Sequence, residues 1–564
     1  MADIQGMTAL PFPNQTVRRA ERSPAFLLLV VLAICLTVWP LAGLAILAFG
    51  GGTDDLVHLA STVLPGSILV TAQVMFLVAL LTGTIGVISA WLVISFDFPM
   101  RKTLAWMLIL PVAMPAYLAS YSFVEFFHFT GPVQTAIRSL FGFKTNTDYW
   151  FPDIRSVWGA GFVLSVVLYP YVYLSTRVVF LLQGRNAADV ARALGAGPAR
   201  VFGKILLPMA RPAIAAGIAL ALMETLNDIG AVEYLGVRTL TFSVYNTWLA
   251  RGSLAGAAQI ALFMMIVVFA LLALESHARR QLKFSGSRAS HFLHPPVRRK
   301  LRGGQALIAA LTCFMPVLIG FGIPFWVLVG FAAKRLDQLM EPAFVRALGN
   351  SVFVGGLAAA ITVLASLFLM HAGRSLQSRK SAILLRLASM GYAVPGTVLA
   401  IGLIFTLGSA DRWLNSGLSL LGLPAPGLFF SGSVFAVVLA ACIRFLAVAD
   451  SGVHSGLSKL PPNIDHAARN LGRSPLQTMM QVMLPLLQPA VLTSLVLVFV
   501  DTVKELSATI ILRPIGFNTL ATLTYENASR AAVEDGAVAA LAIVSVSLIP
   551  VLILSRALAA DRVA

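Results

Sequence analysis

The run FLLLVVLAICLTVWPLAGLAILAFG, residues 26–50, carries no charged side chain over a length that suffices for a helix to cross a bilayer. Runs like it recur down the whole chain. In hydrocarbon every backbone N–H and C=O must find its partner within the protein, which for long unbroken apolar runs means helix. The pattern predicts twelve spans, at approximately 26–49, 66–95, 104–127, 156–181, 210–232, 254–275, 305–331, 347–371, 382–408, 429–451, 488–511 and 537–558. Composition points the same way. Charged residues are 12% of the chain and mean hydropathy is +0.85, against roughly 25% charged in an ordinary soluble domain. The expected fold class is an all-α polytopic membrane protein. The first run follows RRAER but outlasts the roughly 7–15 residues of a signal-peptide core, so it is read as a retained span.

A net charge of +17 raises the possibility of a nucleic-acid partner, which its distribution excludes. Arg18, Arg19 and Arg22, then Arg101 and Lys102, then Arg185, Arg192, Arg200, Lys204 and Arg211, then Arg298, Arg299, Lys300 and Arg302 all fall on one side of an alternating topology. That is the positive-inside bias; it places both termini in the cytosol and makes the lipid bilayer the surrounding partner. Cys35, Cys313 and Cys442 sit inside apolar runs at unrelated spacings. They read as small buried hydrophobes, with neither metal-ligand spacing nor a disulfide framework.

Polar punctuation divides the chain. SHARRQLKFSGSRASHFLHPPVRRKLRGG, 276–304, holds eight basic residues and no acid. It reads as a cytosolic linker in which His277, His291 and His294 are solvated. The expected organisation is a cytosolic segment 1–25, a first repeat 26–275, this linker, a second repeat 305–558 and a cytosolic tail 559–564. The repeats declare themselves directly. DVARALGAGPARVFGKILLP at 189–208 aligns without a gap with HAARNLGRSPLQTMMQVMLP at 466–485, an offset of 277. ARPAI (210–214) meets LQPAV (487–491) and ETLNDIG (224–230) meets DTVKELS (501–507) on the same offset; TLTFSVY (239–245) meets TLATLTY (519–525) after a slip of three. Six spans per half make the repeats parallel, related by an axis along the membrane normal, with a translocation path expected between them.

Each polar repeat reads as helix, break, helix. AADVARAL favours helix, Gly195 suits a left-handed C-terminal cap, and Pro198 fits the first turn of a second helix that is expected to stop at Pro208. The second copy uses Gly472 as cap, Ser474 as N-cap, Pro475 in the first turn and Pro485 as stop. The small face formed by Ala188, Ala191, Ala467 and Ala468 permits close approach, and Arg192 and Arg469 offer planar donors to an acidic partner. Small residues suit insertion into a cleft on another protein better than lying among headgroups.

This spacing resembles the cytosolic "EAA" loop of permease subunits in binding-protein-dependent ABC importers, with the MetI-like type I permease fold. Asp189, Ala191, Gly195, Ile205, Leu207 and Pro208 occupy the pattern in the first copy; Ala467, Ala468, Gly472, Val482, Leu484 and Pro485 do so in the second. Asp189 replaces Glu, and His466 stands at the second acidic position with Asp465 beside it. The resemblance implies a bacterial inner-membrane, multi-pass transport subunit. It also implies two copies of a separate cytosolic ATPase gripping the loops and an external solute-binding protein delivering the cargo. Gly203-Lys204 is followed by Ile and lacks the upstream Gly of a phosphate-binding loop, so ATP and Mg belong to the partner and no cofactor is expected on this chain.

Glu224 aligns with Asp501 and Asp228 with Glu505, each pair spaced to share a helix face. A carboxylate in the bilayer core costs roughly 2.5–3.5 kcal/mol on insertion scales, so such residues face a partner or an aqueous path. Two symmetric pairs would suit a hard cation. Alternatively Asp228 and Glu505 mark the outer ends of spans, while Glu224 and Asp501 pair within their own halves. Lys504 is placed to neutralise Glu505 in part, Arg444 to snorkel toward the cytosol with Asp450 nearby, and Glu125 and His128 to line an outer mouth or join an aromatic belt. VKELSATIILRP (503–514) and ETLNDIGAVEYLGV (224–237) are similar to segments of fused ferric-iron permeases, a branch that commonly has Pro at the position of Ser507. The resemblance implies Fe(III) as cargo, touching the pathway carboxylates transiently without a stable metal site. Thiamine or phosphonate importers share the architecture. A major-facilitator-like secondary transporter is the rival class, but its usual Gly- and Arg-rich signature is absent from SFDFPMRKT after the second span.

Overall fold

The computed structural model describes residues 24–50, 53–182, 184–283, 298–376, 389–457, 460–461 and 464–560. Ten helices among them are long and apolar enough to cross a membrane. Two further elements complete the expected places: the helix Pro24–Gly50, and a broken segment of Arg101–Ala113 with Ala116–Phe141 that bends by 95°. The span expected at 104–127 is therefore not one rod. Its break falls at Met114–Pro115, where a 3-10 turn over Leu110–Ala113 meets a residue before proline, which is driven out of the helical region. The span expected at 382–408 is displaced for the same reason. A 3-10 turn at Ser389–Ala393 precedes Pro395, and the helix runs over Gly396–Leu420; residues 377–388 lie outside the described set.

The order of elements repeats from one half to the other. The helices Leu64–Ser95, Val157–Leu182, Leu207–Asn227, Leu240–Leu249 and Leu254–Lys283 have counterparts in Pro342–Leu376, Val434–Leu457, Leu484–Val503, Leu520–Ser529 and Val533–Ala560. The duplication holds down to single bonds. Leu240 N–H donates to Thr71 Oγ1 at 2.9 Å, and Leu520 N–H to Ser351 Oγ at 2.8 Å, each residue 280 positions after its counterpart.

The first helix of each half packs on the other half as well as on its own. Pro24–Gly50 lies against Gly396–Leu420, and Ile323–Lys334 against Ala116–Phe127. Glycines permit the crossing: a Cβ on Gly402 would strike the carbonyl of Pro40, and one on Gly43 the Thr406 side chain. Within the expected linker 276–304, the helix Leu254–Lys283 continues over the first residues, residues 284–297 lie outside the described set, and Arg299–Lys300 pairs in parallel with Phe96–Asp97. The largest buried cluster joins both halves, with Tyr117, Leu164 and Leu226 packed among the same core as Val503, Leu506 and Val538.

The prolines expected to stop the hairpins' second helices do not stop them. Pro198–Asn227 is one continuous span, passing through a π-helical turn at Phe202–Leu206 where Leu207 N–H reaches back to Phe202 O. Pro208 has no N–H to donate and its ring crowds an ordinary turn; the widened turn accommodates both. The same arrangement occurs at Met479–Met483 before Pro485 and at Leu318–Gly322 before Pro324.

Candidate functional site

A cavity of about 140 Å³ lies where the halves meet. Its lining includes Glu224, Asn227 and Asp228 from the first half, and Tyr392, Arg444, Asp501, Lys504, Glu505 and Ser507 from the second. All four carboxylates singled out in the sequence thus come to one place.

They do not share helix faces as their spacing suggested. The chain leaves the helix after Asn227, and Asp228, at φ −81° and ψ 106°, caps the next short helix Ile229–Tyr234, its Oδ1 accepting from Ala231 N–H at 2.7 Å. Glu505 lies past the end of Leu484–Val503. Its oxygens accept from Ala508 N–H at 3.0 Å and from Thr509 N–H and Oγ1 at 3.1 and 3.0 Å, at the start of Thr509–Leu512. A carboxylate that satisfies orphan N–H groups competes with continuation of the helix, so both spans end where these acids begin.

The two breaks hold each other. Ser507 Oγ donates to the carbonyl of Asn227 at 2.6 Å, and Gly396 N–H donates to Asn227 Oδ1 at 2.8 Å. Tyr392 Oη donates to Glu224 Oε1 at 2.7 Å. Every one of these bonds crosses between the halves, and Glu224 thereby finds its partner outside its own half.

Arg444 does not snorkel. Its side chain is 5% exposed and pairs through Nη1 with Oε1 of Glu505, 7% exposed. Lys504 binds Asp501 at 2.7 Å rather than Glu505, because those two sit one turn apart at the end of a helix. The position matching Arg444 in the first half, 277 residues earlier, is Val167, also on the lining. The cavity's cations therefore both come from the second half and are both engaged there, and four carboxylates face two cations. Sequence reasoning missed Asn227, Tyr392, Ser507 and the true role of Arg444. An Arg in the middle of VFAVVLAACIRFLAVAD was the available signal.

The two polar hairpins match in detail. Gly195 and Gly472 have φ of 83° and 80°, the left-handed region in which a Cβ is strained. Ala196 N–H bonds to Ala191 O at 2.9 Å, and Arg473 N–H to Ala468 O at 3.1 Å, closing each C-terminus. Ser474 and Gln477 cap the following helix reciprocally, at 2.9 and 3.3 Å. Ala188 and Ala468 are buried. Arg192 pairs with Asp189 within its own helix at 3.2 Å; the side chains of His466 and Arg469 lie outside the described residues. Leu194 and Leu471, at matching positions before the cap glycines, are 83% and 84% exposed, an apolar pair that a search for small residues passed over. Glu125 and His128 stay away from the cavity lining; Phe126 and Phe127 beside them stack edge to face, and Phe126 meets Trp326. Among the described residues no group of three His, Cys, Asp or Glu is gathered as a metal-ligand cluster.

Known proteins share this organisation. The family described as binding-protein-dependent transport system inner membrane component matches residues 82–283 and again 361–564, in step with the internal repeat. The chain is similar to the Fe(3+)-transport system permease protein FbpB 2 of Haemophilus influenzae, 25% identical over 411 residues that span 72% of this chain and 77% of that protein. It is 23% identical to the ferric transport system permease protein FbpB of Actinobacillus pleuropneumoniae, over 72% of this chain and 58% of the other. A shorter match, 26% over 37% of this chain, is to a putative 2-aminoethylphosphonate transport system permease protein, PhnU, of Salmonella paratyphi A.

Proposed function

The chain belongs to the binding-protein-dependent transport system inner membrane components, as a fused two-repeat permease of an ABC importer, and from that premise we propose that its cargo is ferric iron, carried through the cavity between the halves. One observation carries the reading: four carboxylates from two repeats converge on a single cavity at the junction, against two cations already paired. An oxygen-rich, net-negative lining attracts a hard cation and repels a phosphonate anion. The two ferric relatives, matched over most of this chain, favour the same cargo over that of the shorter phosphonate match.

In this reading a solute-binding protein delivers the cation and a pair of ATPases sits beneath the hairpins. Leu194 and Leu471 provide apolar contacts for a cleft in each ATPase, and the left-handed glycines hold those leucines at fixed angles. Each hairpin runs through its π turn into the continuous span that ends at the cavity, Pro198–Asn227 on one side and its counterpart ending at Val503 on the other. A push on a hairpin is therefore delivered to Asn227 or Lys504, where the halves interlock. ATPase closure would shift the cross-half bonds of Asn227, Ser507 and Tyr392 and alternate access to the carboxylates.

The test is radioiron uptake by cells carrying the whole transporter. Glu224→Gln with Asp501→Asn is expected to slow uptake while leaving ATPase retention on the purified chain intact. Unchanged uptake, with normal amounts of variant in the membrane, overturns the pathway. Uptake of a phosphonate in place of iron by the unaltered transporter overturns the cargo.

A further inference from the structure

The hydroxyls of Tyr245 and Tyr525 lie 3.3 Å apart. The two residues occupy the same position of the repeat, 280 residues apart, and contact between repeat mates places them on the axis that relates the halves. Tyr525 Oη also donates to Glu233 Oε2 at 2.5 Å, which leaves the Tyr245 hydroxyl as donor to Tyr525. Glu233 lies on the short helix that Asp228 caps, five residues on, which is about 7 Å along the axis of a helix. The three oxygens thus lie on the side away from the hairpins: Tyr234, beside Glu233, meets Arg155, which precedes Val157–Leu182 at the end opposite the first hairpin.

We propose that Tyr245, Tyr525 and Glu233 form a transient ferric-ion site on the axis, the station before the carboxylate cavity. It rests on the ferric reading above and adds ligands that reading does not use. Phenolate and carboxylate oxygens are hard donors suited to a hard trivalent ion. Oxygens about 2.0 Å from an octahedral centre stand about 2.8 Å apart along an edge, and the observed separations of 2.5 and 3.3 Å lie on either side of that length. On binding, each phenol gives its proton to water, and two phenolates with one carboxylate balance the three positive charges of the ion. No electron moves. The assembly is neutral when loaded and carries one carboxylate charge, hydrogen-bonded to a phenol, when empty; Tyr525 is buried and Tyr245 and Glu233 are partly buried, and neither state places more than one charge there. A divalent ion binding the same three oxygens would gain less from deprotonating two phenols and would leave a net negative charge, so the site selects by charge.

The experiment titrates the purified full-length chain in nanodiscs with Fe(III) as its nitrilotriacetate complex and reads the visible phenolate-to-iron charge-transfer band. The unaltered chain is expected to show it, Tyr245→Phe or Tyr525→Phe to weaken it, and the double variant to lose it; Phe keeps the ring in its place. Radioiron accumulation by cells carrying the double variant is expected to fall about tenfold or more, since even outer-shell partners of a metal are worth about that much. Absence of the band in the unaltered chain, or its persistence in the double variant, overturns the site. Cells whose unaltered transporter accumulates no radioiron overturn the ferric reading and this site with it. Cells that accumulate it equally with the double variant, present at normal level, overturn the site alone.

Discussion

Arg444 and Glu505 set a clear sign for mutation. Both are buried, so removing one partner strands a charge in low dielectric, a loss of about 3–5 kcal/mol. Arg444→Met is expected to lower the thermal unfolding temperature of the detergent-solubilised chain, and Arg444→Met with Glu505→Gln to restore most of it. A double variant no more stable than the single one would mean that the ion pair does not carry the effect. The presence of a charge at 444 was legible, since it interrupts an apolar run. Its partner was not. Snorkelling toward the cytosol requires the hairpin-side helix end within reach of the side chain, and Arg444 stands thirteen residues before the end of Val434–Leu457, about 20 Å from it. Its counter-ion lies 61 residues on, a pairing that only tertiary packing decides. Glu224 tells the same story. Its convergence with Asp501 followed from the repeat, whereas its bond to Tyr392 did not.

The hairpins were legible at the scale of the element because their signals are local. Gly195, Pro198, Gly472, Ser474 and Pro475 each act on the turn in which they stand, and the caps form there. Substituting a Cβ-bearing residue at a left-handed position costs about 1–2 kcal/mol. Gly195→Val with Gly472→Val is therefore expected to loosen both hairpins and reduce the amount of ATPase retained on the purified chain, with spans and membrane level unchanged. Leu194→Ser with Leu471→Ser should reduce retention without touching the caps, which separates a docking contact from a folding defect. Full retention in that leucine variant would remove the apolar contact from the proposal. The interruptions at Asp228 and Glu505 escaped the sequence because they depend on partners distant in the chain, Ser507 and Gly396 of the other repeat for Asn227 and Arg444 of the same repeat for Glu505. The π turns escaped it for a different reason. Proline reads as a stop, yet a single widened turn lets the helix continue.

For the whole molecule, the duplication was readable from offsets of 277 and 280, while the exchange of first helices between halves was not, since repeats alone do not say which copy a helix packs on. Two halves that clasp each other in this way need no peptide link to stay together. Chains divided within residues 284–297 and produced in the same cells are expected to purify as one complex. Halves that separate on a tag placed on either one would mean that the linker, and not the exchanged helices, holds the permease together.

The exchange also sets an order of events during synthesis. Pro24–Gly50 leaves the ribosome well before its seat on Gly396–Leu420, which is translated some 350 residues later. At about 5–20 residues per second the wait is on the order of twenty seconds to a minute. Over that interval the leading helix stands in lipid with the surface around Gly43 uncovered, a task for the insertion machinery rather than for this chain. A helix made long before its seat is thus among the last parts of the fold to be finished.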